Sequence, residues 1–400
     1  MTNLSTANGV KQRIVSIDIL RGLIMVIMAL DHTRDFFHKG VPDPTNFATT
    51  TGFLFFTRWI THFCAPVFVF LSGVSVYLAG TRRTKKELSV FLIKRGLWLV
   101  AVELVIRTFA VTLNPAFHAI VLQVIWAIGV SMIILGLLIR TLSINVIGFI
   151  GILLFLGLNL FDGVALPQVG VLGVLQKIFL TAHADILPIN ADHYIIDRYA
   201  VLPWTGVMLL GYVFGTLYQK GYDPRRRKMI LQVTGFSLIG LFLFLRGFNV
   251  YGDAAPWSTQ KNAIYTLFSF LNTTKYPASL LYLCMTLGPA LIVLALVEKV
   301  QNKLTAVCIV YGNVPFFYYI LHFYLIRLLG VALFFASGYG TDQIAVNPVY
   351  PNYLFFPAGS GVNLAEVYLL WILIVAVLYL PCKWFGNYKR THQQWWLNYL

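Results

Sequence analysis

Asp31 and His32 stand side by side at the end of an apolar run, with Arg34 and Asp35 just behind them. A carboxylate next to an imidazole is the equipment of general-base chemistry. A neutral imidazole, with an unperturbed pKa of about 6.5, can take a proton from an attacking amine or hydroxyl near neutral pH. Asp31 or Asp35 would fix its tautomer and stabilise the imidazolium, as the carboxylate does in hydrolytic triads. His62 is the second candidate base. Asp18 and Arg21 enter the same apolar run from its other end, so five charged groups and a histidine share one segment of helical length.

That segment has to be placed in a solvent. The chain has 400 residues, 58% of them hydrophobic and 11% charged, where soluble domains carry about 25% charged residues. An ordinary soluble enzyme is excluded. In a bilayer each ionisable side chain costs a few kcal/mol at the centre unless it faces a partner or a wet cavity. A helix bearing several of them is expected to line a site. The net charge of +15 comes from short basic clusters between apolar runs, which is a topology signal and not a nucleic-acid-binding face. Cys64, Cys284, Cys308 and Cys382 include no CxxC pair, so neither a disulfide framework nor a metal site is expected. The polar N-terminus shows no cleavage site after the first apolar run, and the first helix is expected to stay. No phosphate loop, HExxH or GxSxG occurs. Leu202–Gly206 spells a sortase-type LPxTG signal, but almost half of the chain follows it, so the match is fortuitous.

The sequence therefore predicts an all-α, polytopic membrane bundle forming a single domain over 1–400. Apolar stretches long enough to cross about 30 Å of hydrocarbon fall near 15–37, 53–80, 90–112, 119–139, 142–161, 201–219, 229–247, 278–298, 305–336 and 362–382. The ninth is expected to break at Gly312–Pro315, because proline removes a backbone donor. With the N-terminus inside, 19 of the 30 lysines and arginines fall in inner segments and 7 in outer ones. That bias predicts cytoplasmic tails at 1–14 and 383–400. The outer connections at 162–200, 248–277 and 337–361 are long and poor in lysine and arginine, which suits loops folding over a cavity mouth.

Under this topology Asp31, His32, Arg34 and Asp35 lie near the outer face with Arg58 and His62, while Asp18 and Arg21 lie near the inner one. Glu103 and Arg107, spaced i,i+4, and His322 and Arg327 add further polar groups from two later helices. A buried chamber with a mouth on each side is the expected layout. Each group also has a plainer reading. Glu103 with Arg107, and Asp18 with Arg21, can be intrahelical ion pairs; Asp31, Arg34 and Asp35 can neutralise one another; His62 and His322 can be hydrogen-bonded struts. The clusters Arg82-Arg83-Lys85-Lys86 and Arg225–Lys228 are first of all topology determinants.

Residues 16–37 (SIDILRGLIMVIMALDHTRDFF), then Trp59–His62 and Ala65–Gly73, resemble the start of the heparan-α-glucosaminide N-acetyltransferase catalytic family and its bacterial relatives. The stretches Lys275–Leu280 and Tyr311–His322 are similar to uncharacterised bacterial members. Arg21 followed by His32 also matches the spacing in a broader class of bacterial membrane O-acyltransferases, where the histidine is taken as the catalytic base. The resemblance implies a bundle of ten or eleven spans moving acetyl from cytosolic acetyl-CoA to a sugar on the far side. The lysosomal enzyme has no histidine at the end of its first helix. Its proposed catalytic histidine falls near Gly52 here, so that role moves to His32 or His62 and the acceptor is not carried over.

These readings combine into acyl transfer through the membrane plane. Asp18, Arg21, Arg82, Arg83 and Arg95 would serve the donor; Arg34, Arg107, His322 and Arg327 the acceptor or the oxyanion; His32, Asp31, Asp35 and His62 the chemistry. Membrane lipid and a second copy of the chain, as a homodimer, are the other expected partners, and a bacterial inner membrane is the expected location. The rival is a proton-coupled transporter using the same buried Asp, His and Arg; against it stands the lack of an inverted repeat.

Overall fold

The computed structural model describes residues 14–398 except 166, 168, 346, 348, 349 and 351, so Lys11 and Arg13 lie outside the described residues. The chain is mostly helical. It opens with α1 (Val15–Phe37), α2 (Gly52–Thr61) and α3 (Cys64–Gly80). Next come α4 (Lys85–Val102), a π-helical turn (Glu103–Arg107) and α5 (Thr108–Thr112). Strand β1 (Ala119–Leu122) leads into α6 (Val124–Thr141), α7 (Ile144–Gly157) and α8 (Gly170–Gln176). Strands β2 (Asp185–Pro188) and β3 (Tyr194–Asp197) precede α9 (Val201–Phe214) and α10 (Pro224–Phe248). The last part holds α11 (Ala263–Leu271), α12 (Leu280–Leu296), α13 (Lys303–Gly312), α14 (Pro315–Ala336) and α15 (Leu364–Thr391).

Among the described residues, eight helical stretches are long and apolar enough to cross a membrane. Helix α1 and the α4–α5 unit have the length but carry more ionisable side chains. The expected ninth span needs one correction. It is two helices, broken where the proline predicts, and ten-residue α13 is only about 15 Å long. Helix α14, at 22 residues, is the spanning part. A three-stranded sheet in the order β1-β3-β2 was also not expected; β3 pairs parallel with β1 and antiparallel with β2.

Helix α1 is the hub. It packs against α13, α14, α15, α3, α2 and α12. Membrane helices gain little from burying apolar surface, so close backbone approach through small residues matters. A Cβ on Gly312 would lie 1.9 Å from the Asp18 carbonyl oxygen, and one on Gly22 would lie 1.8 Å from that of Cys308. The same approach lets Arg21 reach the Gly312 carbonyl at 3.3 Å. Gly312→Leu is therefore expected to force α1 and α13 apart and cost about 1–3 kcal/mol. The check is a lower melting temperature in detergent, with Gly240→Leu as a control that leaves melting unchanged, since no atom lies within 4 Å of a Cβ at that glycine.

Arg246 is buried near the end of α10. It donates to the carbonyl oxygens of Ala255, Ser269, Phe270 and Asn272 at 2.7, 3.0, 3.0 and 2.8 Å. One guanidinium thus closes the connection between α10 and α12 upon itself. At the exit of α1, Phe37 and Lys39 make backbone hydrogen bonds to Val362, tying the start of the 38–51 connection to the segment before α15.

Asp197 is buried at the end of β3, opposite Asp185 in the register. Its Oδ1 accepts the Tyr199 N–H at 3.3 Å, and its Oδ2 has no partner among the described residues. Burial pushes this carboxyl up to about 7, with Asp185 adding to the shift against the Tyr199 hydrogen bond. A folded-state pKa above the unfolded one means the native state holds the proton more tightly. Stability should therefore decline as pH rises from about 4 to 7, and Asp197→Asn should flatten that decline in a series of thermal melts.

Candidate active site

Five connections and the ends of several helices meet at one end of the bundle around a chamber of about 560 Å³. Its lining draws on Val41–Thr45, Gln123, Arg198 and Tyr199, Asn272–Tyr276, and Tyr350, Tyr353 and Phe356, with Asp31, His32, Arg34 and Asp35 of α1. All five connections join consecutive pairs of spans, as the alternating topology requires. The wall is polar and mostly cationic.

His32 lines this chamber, with its ring stacked on Phe323 at 4.3 Å. Its Nδ1 lies 2.7 Å from Nε2 of His322, a residue 290 positions away on α14. The other nitrogen of His322, Nδ1, lies 3.2 Å from the Tyr318 carbonyl oxygen. A carbonyl only accepts, so His322 Nδ1 carries the proton and, in the neutral ring, its Nε2 presents a lone pair. His32 Nδ1–H then donates to it. This network fixes the tautomer of His32 and leaves its Nε2 as an unprotonated nitrogen, with no protein partner among the described residues. A base is thereby oriented without a carboxylate.

Asp31 faces elsewhere. Its carboxylate accepts from Arg34 at 2.8 Å, Arg58 at 2.8 Å and Thr61 at 2.9 Å. Arg34 also holds Asp35 at 2.6 Å. The hydrogen-bond partner of the His32 ring is His322, and neither Asp31 nor Asp35 as expected. Neighbours in a helix point roughly 100° apart, so Asp31 turns to α2 while His32 turns to α14. His62 is buried on the chamber wall; its Nδ1 has no partner among the described residues and its carbonyl accepts the Tyr282 hydroxyl at 2.8 Å.

Glu103 and Arg107 lie in the π-helical turn, 3.7 Å apart. Glu103 accepts the Gln123 N–H at 3.0 Å and so caps α6. Arg107 reaches the Val121 carbonyl at 3.2 Å, sits 5.4 Å over the Phe323 ring and lines the chamber. Arg327 lies off it, over the Phe36 ring and bonded to the Leu354 carbonyl. Asp18 and Arg21, expected to serve the donor, lie far from the chamber on α1. Asp18 is 13 positions before Asp31, about 20 Å along the helix. There Arg21 binds Asp18 at 3.2 Å and Ser75 at 2.9 Å, close to the end of α3 that leads to Arg82 and Arg83. Arg83 folds over the Phe91 ring at 4.5 Å, and Arg95 is on α4. The structure thus separates two polar sites along α1.

Residues 13–248 match the family described as heparan-α-glucosaminide N-acetyltransferase, catalytic. The chain belongs to that family. No curated protein matches it. Membership makes this integral membrane protein an acetyltransferase in general terms. The heparan-α-glucosaminide N-acetyltransferase match spans α1 to α10 and includes His32, His62 and Arg107; His322 lies beyond it.

The sequence reading missed several wall residues: Arg198, Tyr199, Lys275, Tyr276, Tyr350 and Tyr353. A signal was present. In connections otherwise poor in lysine and arginine, Arg198-Tyr199 and Lys275-Tyr276 each pair a cation with a tyrosine shortly before a span.

Proposed function

We propose that this protein moves acetyl from cytosolic acetyl-CoA, through the plane of a bacterial inner membrane, to an amine or hydroxyl of a sugar held in the chamber. The observation that carries the reading is the His32–His322 pair, which presents an unprotonated imidazole nitrogen to a polar cavity. The 19-to-7 lysine and arginine bias supports the chamber opening outwards. It also supports the Arg21 site, with Arg82 and Arg83 of the α3–α4 connection and Arg95 of α4, serving the donor's phosphates from inside.

In this mechanism the acceptor nitrogen or oxygen attacks the thioester carbonyl carbon while His32 Nε2 takes its proton. The C–S bond then breaks and the imidazolium returns the proton to the coenzyme A thiolate. His322 stabilises the imidazolium by accepting from Nδ1–H. Arg107, whose Nε has no hydrogen-bond partner among the described residues, stabilises the oxyanion. The cluster of Asp31, Arg34 and Arg58 holds α1 to α2 and keeps the wall in place.

The test is acetyl-CoA cleavage by the detergent-purified protein against glucosamine and a panel of sugars. Thiol release that depends on the acceptor and matches the acetylated product supports the reading. Absence of donor binding and turnover with every acceptor, beside proton-linked solute uptake in vesicles, would favour a transporter.

A further inference from the structure

Two cations on the chamber wall make none of the ion pairs that the others make among the described residues, although the Lys275 charge reaches Asp31 from farther away. Arg34 and Arg58 share Asp31, and Arg107 faces Glu103. The other acids on the wall are also engaged, Asp35 by Arg34 and Asp43 by Thr45. Arg198 and Lys275 have no carboxylate within ion-pair distance among the described residues. Both are partly buried, and the Arg198 Nε is buried without a hydrogen-bond partner among the described residues. Lys275 Nζ instead lies 5.2 Å from the Tyr276 ring and 5.8 Å from the Tyr199 ring. The field they create is visible on Tyr276. Burial pushes its phenol up, yet Lys275, Arg58 and Arg198, with a hydrogen bond from Tyr199, outweigh that and draw it down to about 8. A partly desolvated cation with no counter-ion is unfavourable, and two act on the same tyrosine.

We propose that Arg198 and Lys275 form an anion subsite, so that the acceptor sugar carries a carboxylate, phosphate or sulfate held there while its nucleophile reaches His32. This deepens the acetyl-transfer reading and rests on it for the word acceptor. The guanidinium offers a fork that matches two oxygens of such a group, and the ammonium adds a mobile point charge. The anion would replace the missing counter-charge, which makes the subsite selective against neutral sugars.

The experiment is calorimetric binding without donor, using glucosamine, glucosamine 6-phosphate, glucosamine 6-sulfate and a glucosamine–glucuronate disaccharide. At least one anionic probe is expected to bind tenfold or more tightly than glucosamine at low salt, with the preference shrinking as salt rises. The best probe identifies where the charge sits. Arg198→Gln and Lys275→Gln should each cut the preference to about threefold or less, while Arg198→Lys keeps most of it. Equal binding of neutral and anionic probes, or a preference that survives the double glutamine variant, overturns the subsite. A preference without acetyl transfer to any probe leaves the subsite standing and removes the transferase. Transfer to glucosamine with no anion preference does the reverse.

Discussion

His32→Ala is expected to lower kcat for acetyl transfer by about 10²–10⁴-fold, the usual loss when a positioned base is removed, while donor affinity stays the same. The donor's expected contacts are at the Arg21 end, about 16 Å from His32 along α1, so the two effects should separate. Rapid-quench turnover beside acetyl-CoA binding provides the check; unchanged kcat would transfer the role to His62. His322 adds a sharper readout because it acts through His32. In His322→Phe the acceptor for Nδ1–H is gone, the tautomer is no longer fixed, and kcat should fall about tenfold or more with KM little changed. His322→Gln offers a carbonyl oxygen within reach of the same N–H and should recover part of that loss. If Phe and Gln are equally damaging, the pair has no orienting role.

Asp31→Asn is expected to act mainly on stability. The carboxylate neutralises Arg34 and Arg58 in a site where all three side chains are at most 16% exposed. Removing one partner of a buried ion pair costs about 3–5 kcal/mol, because the charge left behind cannot recover its hydration. Asp35 still touches Arg34, so the low end of that range is expected. Arg58 is left most exposed to the change, and Asp31→Asn combined with Arg58→Met should regain part of the melting temperature. A single variant that melts like the native protein but is inactive would mean that Asp31 takes part in the chemistry.

Much of the architecture is legible in the sequence because a bilayer allows few solutions. Apolar runs of spanning length, basic clusters between alternate pairs and a proline at position 315 determine most helix positions. The break at Gly312–Pro315 falls where the proline requires it. What composition cannot convey is that α13 is too short to span, since the apolar run continues through the break. The strands were missed for a related reason. Each has four residues, too few for an alternation pattern to stand out, and β1 finds its partner β3 only far along the chain, at Ala119 opposite Tyr194. At the site, the sequence reveals which residues are costly to bury and not which ones meet. His32 and His322 each read as an isolated histidine. Asp31, adjacent to His32 in sequence, looks like its natural partner until the helix turns the two side chains to different neighbours. Arg198 and Lys275 read as part of the charge bias, and only the convergence of the connections brings Arg198 to the wall that Lys275 and Tyr276 share.

The clamp made by Arg246 has a bearing on how such a protein can diversify. Its four carbonyl partners lie between Ala255 and Asn272, at the root of the segment that delivers Thr273 to Tyr276 to the chamber wall. A fastened root lets the tip be rewritten without unravelling what lies beneath. The histidines sit on α1 and α14, outside that segment. Chemistry and taste are thereby lodged in separate parts of the chain. Lineages can exchange one while inheriting the other, and a designer seeking new acceptors can work within a handful of codons.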